Sequence, residues 1–212
     1  MSRQNAAWKG PLGTGIRWVA PWSAAFISWV MCEAGLGQTE RFQRAIAHHA
    51  YIDQAIRARD GRAPEAAFVA YDVGESDISP GDLLCSSRRP AYKRLADRRR
   101  QLGVGARSHC DVVVEVDEAR SRILAIGGNV RGTVSLKLLP AERSATSLQV
   151  LDNDEERPVF AHLKLRAPAI EPAALQSSPS VVGAFACGSR TASSRGTASS
   201  NVFTLGVIAA RC

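Results

Sequence analysis

A serine at the start of an apolar stretch is the first residue of this sequence that could do chemistry. Ser23 lies in the stretch from Pro21 to Met31. That stretch predicts a short helix that is apolar on nearly every side and therefore buried. Pro21 suits the first helical position, which needs no N–H. Ser23 then lies among unpaired N–H groups at the positive end of the helix dipole. A hydroxyl there can be a nucleophile beside an anion site, and the alternative is a serine that only caps the helix.

A predicted strand places two ionisable side chains on one face. Residues 108–116 have the apolar, β-branched composition of a strand. Because successive side chains point to opposite faces, His109 and Asp111 share a face with Val113 and Glu115. The other face is apolar and is predicted to face the core: Cys110, Val112, Val114 and Val116.

Further strands follow, and two helices precede them. A close turn after residue 117 predicts an antiparallel hairpin with residues 122–126, and more strands are expected at 133–138 and 158–165. The buried helix should end near Gly35. A second helix is expected over 39–59, with apolar residues at helical spacing. The other predicted elements are a short strand or a helix end at 68–71, a strand from Asp82 to Cys85 after the Pro80-Gly81 turn, and a basic, solvated excursion over 88–107.

Composition predicts one globular domain with flexible ends. The chain has 212 residues, of which 45% are hydrophobic and 22% charged, which is ordinary for a soluble protein with one core. Residues 1–17 are predicted to be a flexible segment and 18–166 the folded domain. Residues 167–212 are rich in Pro, Ser, Ala and Gly and are predicted to be a flexible tail.

The charge and the cysteine content indicate which partners, metals and cofactors to expect. The net charge of +7 fits a partner that carries negative charge, but aromatic residues are not interleaved with the basic cluster, so no nucleic-acid partner is expected. The five cysteines show no paired spacing and are expected to be reduced thiols. Neither a metal site nor a cofactor is predicted.

The sequence shows no clear signal for membrane insertion or export. The apolar run over 18–31 is too short to span a bilayer, so stable membrane insertion is not expected. No signal peptide is visible. The expected location is cytoplasmic for the chain as given, with export open if the gene start lies further upstream. The sequence does not determine the oligomeric state.

Four segments taken together resemble a known family. A buried helix with a small polar residue in its first turn precedes a Pro-Gly-Asp-Leu turn, a strand opening with His and a strand ending in Gly-Asn. This order is similar to the papain-like amidase superfamily of NlpC-type and CHAP-type cell wall hydrolases. More closely, the chain resembles the bacterial domain of unknown function 2272 over roughly residues 18–165. The segments are 21–31, 81–83, 108–113 and 126–130.

The resemblance implies an α+β, papain-like (NlpC/CHAP-like) fold, with N-terminal helices packed on a small antiparallel sheet. It also implies site residues. Ser23 matches the nucleophile position, where the superfamily carries a cysteine, His109 matches the strand histidine, and Asn129 matches the polar residue that orients the imidazole. A hydroxyl is harder to deprotonate than a thiol, so the imidazole would have to act more strongly as general base.

The sequence is compatible with three functions. The first is a hydrolase of amide or ester bonds, acting on a peptidoglycan or peptide-like substrate with Ser23, His109 and Asn129. The second is a degenerate domain that binds a peptide or glycan in the same cleft without cleaving it. The third is a structural protein in which Ser23 is a cap. Trp22, His49 and Asp111 are the candidate substrate-binding residues, although the tryptophan favours a core position.

Overall fold

The computed structural model describes residues 21–88, 92–144, 147–151 and 157–167. The predicted segment 1–17 lies outside these residues, as does the predicted tail apart from Ala167. Within them are three α-helices, which we name α1 (Ser23–Glu33), α2 (His49–Arg59) and α3 (Leu95–Arg99), and a 3-10 turn at Glu118–Arg120. The strands are β1 (Phe68–Tyr71), β2 (Leu83–Ser87), β3 (Ser108–Asp117), β4 (Arg122–Val130), β5 (Thr133–Arg143), β6 (Leu148–Val150) and β7 (Val159–Leu165).

The strands form one antiparallel sheet in the order β1-β7-β2-β3-β4-β5-β6. Its centre is the predicted hairpin of β3 and β4, and the tight connection to β5 extends it. In that connection Arg131 and Gly132 both have positive φ, at 52° and 85°, as a two-residue hairpin turn that follows the twist of the strands requires. The predicted helices followed by an antiparallel sheet are therefore confirmed, although β6 was not predicted.

A bulge in β3 changes which of its side chains are buried. The register with β4 shifts between Val113 and Glu115. Val113 is buried, whereas Val114 is 40% exposed, so the prediction of Val114 as a core residue is wrong. Strict alternation fails at this point because a bulge inserts one extra residue and turns the following side chains over. His109 and Asp111 precede the bulge, and their predicted shared face is unaffected.

The main core lies between the two long helices and the sheet. Ile27 of α1 and Ile52 and Ile56 of α2 are fully buried in it, together with strand residues such as Leu83 and Leu163. Burying a large aliphatic side chain of this kind contributes about 1.5–3 kcal/mol. Packing of the helices against the strands is thus what fixes α1 relative to β3 and β4.

Helix α2 is shorter than predicted. It begins at His49, and the chain over Gln38–Phe42 forms a turn instead of a first helical segment. The side-chain amide of Gln54 holds that turn, since it donates to the carbonyl groups of Thr39 and Glu40 and accepts from Gln43 N–H. The prediction of a helix over 39–59 is therefore wrong in its first ten residues, because a tertiary hydrogen-bond set replaces the helical one.

The basic excursion is anchored by a buried ion pair. Arg98 of α3 is fully buried and donates two hydrogen bonds of 2.7 Å to the carboxylate of Asp53 in α2. It also donates to the carbonyl of Val104, and Gly103 N–H donates to Asp53. The prediction that the basic stretch is solvated is therefore wrong for Arg98. Its guanidinium group is paired with Asp53 and so attaches the segment to α2.

The expectation of reduced cysteines is also wrong, because the described cysteines, Cys32, Cys85 and Cys110, are disulfide-bonded. Cys85 of β2 and Cys110 of β3 are directly paired across the sheet and form a disulfide, with their Cα atoms 4.1 Å apart. Both are fully buried on the core face. The chain spacing of 25 residues hid this pair because strand register, which the sequence does not display, brings the two residues opposite one another.

Candidate functional site

The fold brings the hydroxyl of Ser23 to the ring of His109. Ser23 is the first residue of α1 and is 8% exposed, and its Oγ lies 2.9 Å from Nδ1 of His109. The N-cap is Trp22, which makes no side-chain capping bond. The first intrahelical hydrogen bond runs from Phe26 N–H to the Trp22 carbonyl, so the serine hydroxyl is not a cap. It is directed to the histidine instead.

Asp111 completes a chain of three side chains. Its Oδ1 lies 2.9 Å from Nε2 of His109, and both residues are 6% exposed. The two share one face of β3 because they are two positions apart on a strand. The order hydroxyl, imidazole and carboxylate resembles that of a serine hydrolase triad, although the two ring nitrogens face the opposite partners from those in chymotrypsin.

The charge of Asp111 sets the proton positions. Lys137 of β5 places its Nζ 2.7 Å from Oδ2 of Asp111. Burial alone would raise the pKa of Asp111, but the hydrogen bond from His109 and the charge of Lys137 outweigh it, and the pKa lies below its ordinary value. An ionised carboxylate only accepts hydrogen bonds. Neutral His109 therefore carries its proton on Nε2 and presents the lone pair of Nδ1 to the Ser23 hydroxyl.

Two consecutive glycines of β4 make room for this arrangement. A Cβ on Gly127 would lie 1.9 Å from Oδ1 of Asp111 and 3.0 Å from Nε2 of His109. A Cβ on Gly128 would lie 2.6 Å from Cβ of Phe26 in α1. The first glycine thus admits the His–Asp pair and the second admits the helix that carries Ser23. This is the physical reason for a Gly-Gly pair at the end of this strand.

A second histidine lies beside the first. The ring centroids of His48 and His109 are 5.4 Å apart. Burial, followed by repulsion from His109 when that ring is protonated, lowers the pKa of His48 to about 3, so the His48 ring is neutral at pH 7. The hydroxyl of Tyr51 contacts its Nδ1, and burial raises the pKa of Tyr51 well above its ordinary value.

The hydrogen bonding of His48 leaves one buried donor unused. Among the described residues, the only hydrogen-bond partner of the Tyr51 hydroxyl is Nδ1 of His48. The phenol therefore donates to Nδ1 and the imidazole proton is on Nε2. That nitrogen is buried and has no partner within the described ranges. An unpaired buried donor of this kind costs free energy.

No hydrogen bond in the described part of the chain joins the side chains of the other predicted site residues to Ser23, His109 or Asp111. Asn129 has φ 58° at the register shift that ends β4, and no hydrogen bond joins it to His109 in the described part of the chain. His49 accepts a hydrogen bond from Ala106 N–H at 3.4 Å, and Trp22 packs edge-on against Phe26. Of the six predicted residues, the structure brings together Ser23, His109 and Asp111.

Sequence reasoning missed His48 and Lys137. His48 directly precedes His49 in the sequence, and one residue along a chain decides which ring is buried. Lys137 carried a weak signal, because it is the single charged residue in the predicted strand 133–138. Its partner could not be identified without the register that pairs it with Ala125 of β4.

The Pro80-Gly81-Asp82 turn has a structural role. The buried Asp82 carboxylate accepts hydrogen bonds from Ser79 N–H, Leu165 N–H and Nε2 of His162. Burial would raise its pKa, but these hydrogen bonds outweigh that effect and lower it. The second His–Asp pair of the domain thus ties β2 to β7.

A cleft of about 670 Å³ borders the triad. His109, Asp111 and Lys137 are among its described lining residues, and Ser23 is not. Its size is that of a site for a small ligand or a short chain segment. Within the described ranges, no group of three or more His, Cys, Asp or Glu side chains is arranged to hold a metal ion, and no helix is long and apolar enough to cross a membrane.

Comparison with known proteins places the chain in a family. The family described as "Uncharacterized protein conserved in bacteria (DUF2272)" matches residues 5–165. The chain belongs to this family, and the match covers the whole sheet and all the residues of the triad. No curated protein and no solved structure matched the sequence.

Proposed function

We propose that this protein is a hydrolase of amide or ester bonds that uses Ser23 as nucleophile, His109 as general base and Asp111 as the group that orients the imidazole. The observation that carries this proposal is the pair of 2.9 Å contacts on either side of the His109 ring. Asp111 thereby takes the role that the resemblance implied for Asn129.

The proposed reaction follows from the proton positions. Nδ1 of His109 accepts the hydroxyl proton as Ser23 Oγ attacks the carbonyl carbon of the substrate. The imidazolium that forms is stabilised by the ionised Asp111. The proton then passes from Nδ1 to the leaving amine or alcohol as the bond to it breaks. Water attacks the acyl-enzyme by the same route in reverse, which releases the acid and restores the serine.

Two kinds of donor support an oxyanion at this position. The backbone N–H groups in the first turn of α1 have no intrahelical partners, and the helix dipole adds positive potential there. The neutral ring of His48 lies beside His109 and is a second buried donor, which would serve an oxyanion only if substrate binding exposed it. Fixed donors of this kind stabilise the negative oxygen of a tetrahedral intermediate, and losing one costs an enzyme about 10²–10³ in turnover.

A papain-like scaffold of the NlpC or CHAP type, with a cell wall peptide as substrate, is the finer part of this proposal. It is supported by a nucleophile at the start of a helix that packs on an antiparallel sheet, with the histidine on a strand. A peptidoglycan substrate requires export, and a disulfide such as Cys85–Cys110 persists in oxidising compartments. We therefore propose that the protein acts outside the cytoplasm.

The second candidate function is binding of a peptide or glycan without cleavage. One observation favours this function. His109 and Asp111 line the cleft, whereas Ser23 is only 8% exposed and is not among the described residues that line it. In that case the triad would shape a binding surface and the serine would never be acylated.

Labelling with a fluorophosphonate separates the two functions, because this probe modifies only an activated serine. We expect labelling of the wild type, and its loss in Ser23→Ala and His109→Ala. Ser28→Ala is the matched control, since it removes another buried hydroxyl of α1 whose hydrogen bonds go to the backbone of Ala45. Its labelling should match that of the wild type.

The result that contradicts the proposal is a folded wild type that stays unlabelled while the cleft binds a ligand. Alkylation of a Ser23→Cys variant with iodoacetamide provides a second test. In a catalytic site the imidazole activates the new thiol, so alkylation should be faster than in a Ser23→Cys/His109→Ala variant. Equal rates would indicate that the histidine does not act as a base.

A further inference from the structure

The cleft beside the triad is lined by an excess of positive charge. Three arginines and a lysine line it, and Asp111 is the single carboxylate among its described lining residues. The lysine, Lys137, is already paired with that carboxylate. The other cations that line the cleft are the arginines, Arg88, Arg131 and Arg157.

The arginines reach the cleft from three separate parts of the sheet. Arg88 directly follows β2, Arg131 lies in the turn between β4 and β5, and Arg157 precedes β7. Arg131 holds a left-handed conformation, φ 52°, which side-chain-bearing residues rarely adopt. Convergence from three connections distinguishes this cluster from a run of basic residues along one exposed helix face.

Two of the three arginines have no ion-pair partner among the described residues. Arg88 and Arg131 form no ion pair within the described part of the chain. Burial and the neighbouring charge of Arg157 both lower the pKa of Arg88. The Arg88 charge also contributes to the lowered pKa of His48, whose ring lies beside His109. An anion bound in the cleft would lie beside the positive charges of Arg88 and Arg131, and its attraction to them would favour binding.

We infer that this cleft binds an oxyanion of the substrate, a carboxylate or a phosphate, and so selects acyl compounds that carry negative charge close to the bond that Ser23 would attack. Guanidinium groups suit this role because their planar donor pairs match carboxylate and phosphate oxygens. The inference rests on the proposed function for cleavage, whereas anion binding itself can be measured without it.

Calorimetric titration of Ser23→Ala protein tests the inference independently of turnover. The probes are N-acetylglutamate, inorganic phosphate and, as the uncharged match of the first, N-acetylglutamine. We expect either anion to bind at least ten times more tightly than N-acetylglutamine, and raising the salt concentration to weaken that binding. Tighter binding of phosphate would assign the site to a phosphoryl ligand, and tighter binding of N-acetylglutamate to an acidic peptide. Both results support the inference.

Charge-matched variants show whether the cleft arginines are responsible. Arg88→Gln/Arg131→Gln, in the same Ser23→Ala background, should lower the affinity for the better anion at least tenfold. Arg41→Gln/Lys93→Gln removes the same charge at two exposed side chains outside the cleft lining and should leave the affinity within twofold. The inference is overturned if both double variants lose affinity equally, or if N-acetylglutamine binds as well as N-acetylglutamate.

Failure of the proposed function would look different. Anion binding that depends on Arg88 and Arg131, together with no fluorophosphonate labelling of wild-type protein, would refute hydrolysis and leave an anion-binding cleft. Labelling of the wild type without preference for anionic probes would refute this inference and leave the hydrolase.

Discussion

Replacement of Gly127 by alanine should disable the triad while leaving its three members in place in the sequence. The new Cβ would lie 1.9 Å from Oδ1 of Asp111, whereas ordinary van der Waals contact begins near 3.4 Å. The carboxylate must therefore move by about 1.5 Å. The ring of His109 cannot follow it freely, because Nε2 is itself 3.0 Å from the same added atom. The 2.9 Å hydrogen bond between them is lost.

The expected effect on reactivity is larger than the effect on stability. A displacement of about 1 Å in a catalytic group costs on the order of 10²-fold in rate, and losing the orienting carboxylate costs up to about 10⁴-fold. Overpacking a buried site typically costs about 1–3 kcal/mol of unfolding free energy. Fluorophosphonate labelling of Gly127→Ala should thus be slower by at least about 10²-fold in protein that is still folded.

Labelling rates, urea unfolding and the NMR signals of the His109 ring together test this expectation. Gly105→Ala is the control, since a Cβ there meets no atom within 4 Å. Asp111→Asn provides a second route to the same defect if Gly127→Ala does not fold, because it keeps the shape and removes the charge. The reasoning is refuted if folded Gly127→Ala labels at the wild-type rate with unchanged His109 signals.

Three further perturbations test the fold around the site. Arg98→Ala should cost about 3–5 kcal/mol in urea unfolding, because it leaves Asp53 charged and unpaired in the interior; a loss below 1 kcal/mol would mean that the pair is not buried in solution. The pKa of His48 is about 3 in the folded protein and near 6.5 when unfolded, so its contribution is complete above about pH 6.5. It declines by roughly 1.4 kcal/mol per pH unit as the pH falls toward 3, and His48→Gln should flatten that part of the stability profile. Reduction of Cys85–Cys110, or its replacement by two alanines, should lower the free energy of unfolding by about 3 kcal/mol for a loop of this length. Mass spectrometry should find the disulfide in protein isolated from the periplasm and not in protein isolated from the cytoplasm. Two free thiols in the periplasmic protein would contradict the assignment.

The sequence by itself determined the elements that carry the site. Hydrophobic patterning is a local property, and it was enough to predict the buried helix that starts at Ser23, the strand that carries His109 and Asp111 on one face, and the hairpin that follows. The Gly-Gly-Asn segment was also visible in the sequence, but the reason for its glycines was not. Each glycine is required by an atom far away in the chain, in Asp111 or in Phe26.

Tertiary structure decided which residues meet. Asn129 was predicted to orient the imidazole and Asp111 to bind substrate, and which of the two contacts His109 depends on strand register, which is set by pairing across the sheet. The same register joins Cys85 to Cys110 and brings Lys137 to Asp111. Burial of His48 in preference to His49 likewise depends on where α2 begins, and the hydrogen bonds of Gln54 replace the helix that local periodicity favoured. Local composition therefore determined the helices and strands. Long-range pairing determined the site, because composition does not encode which residues lie opposite one another.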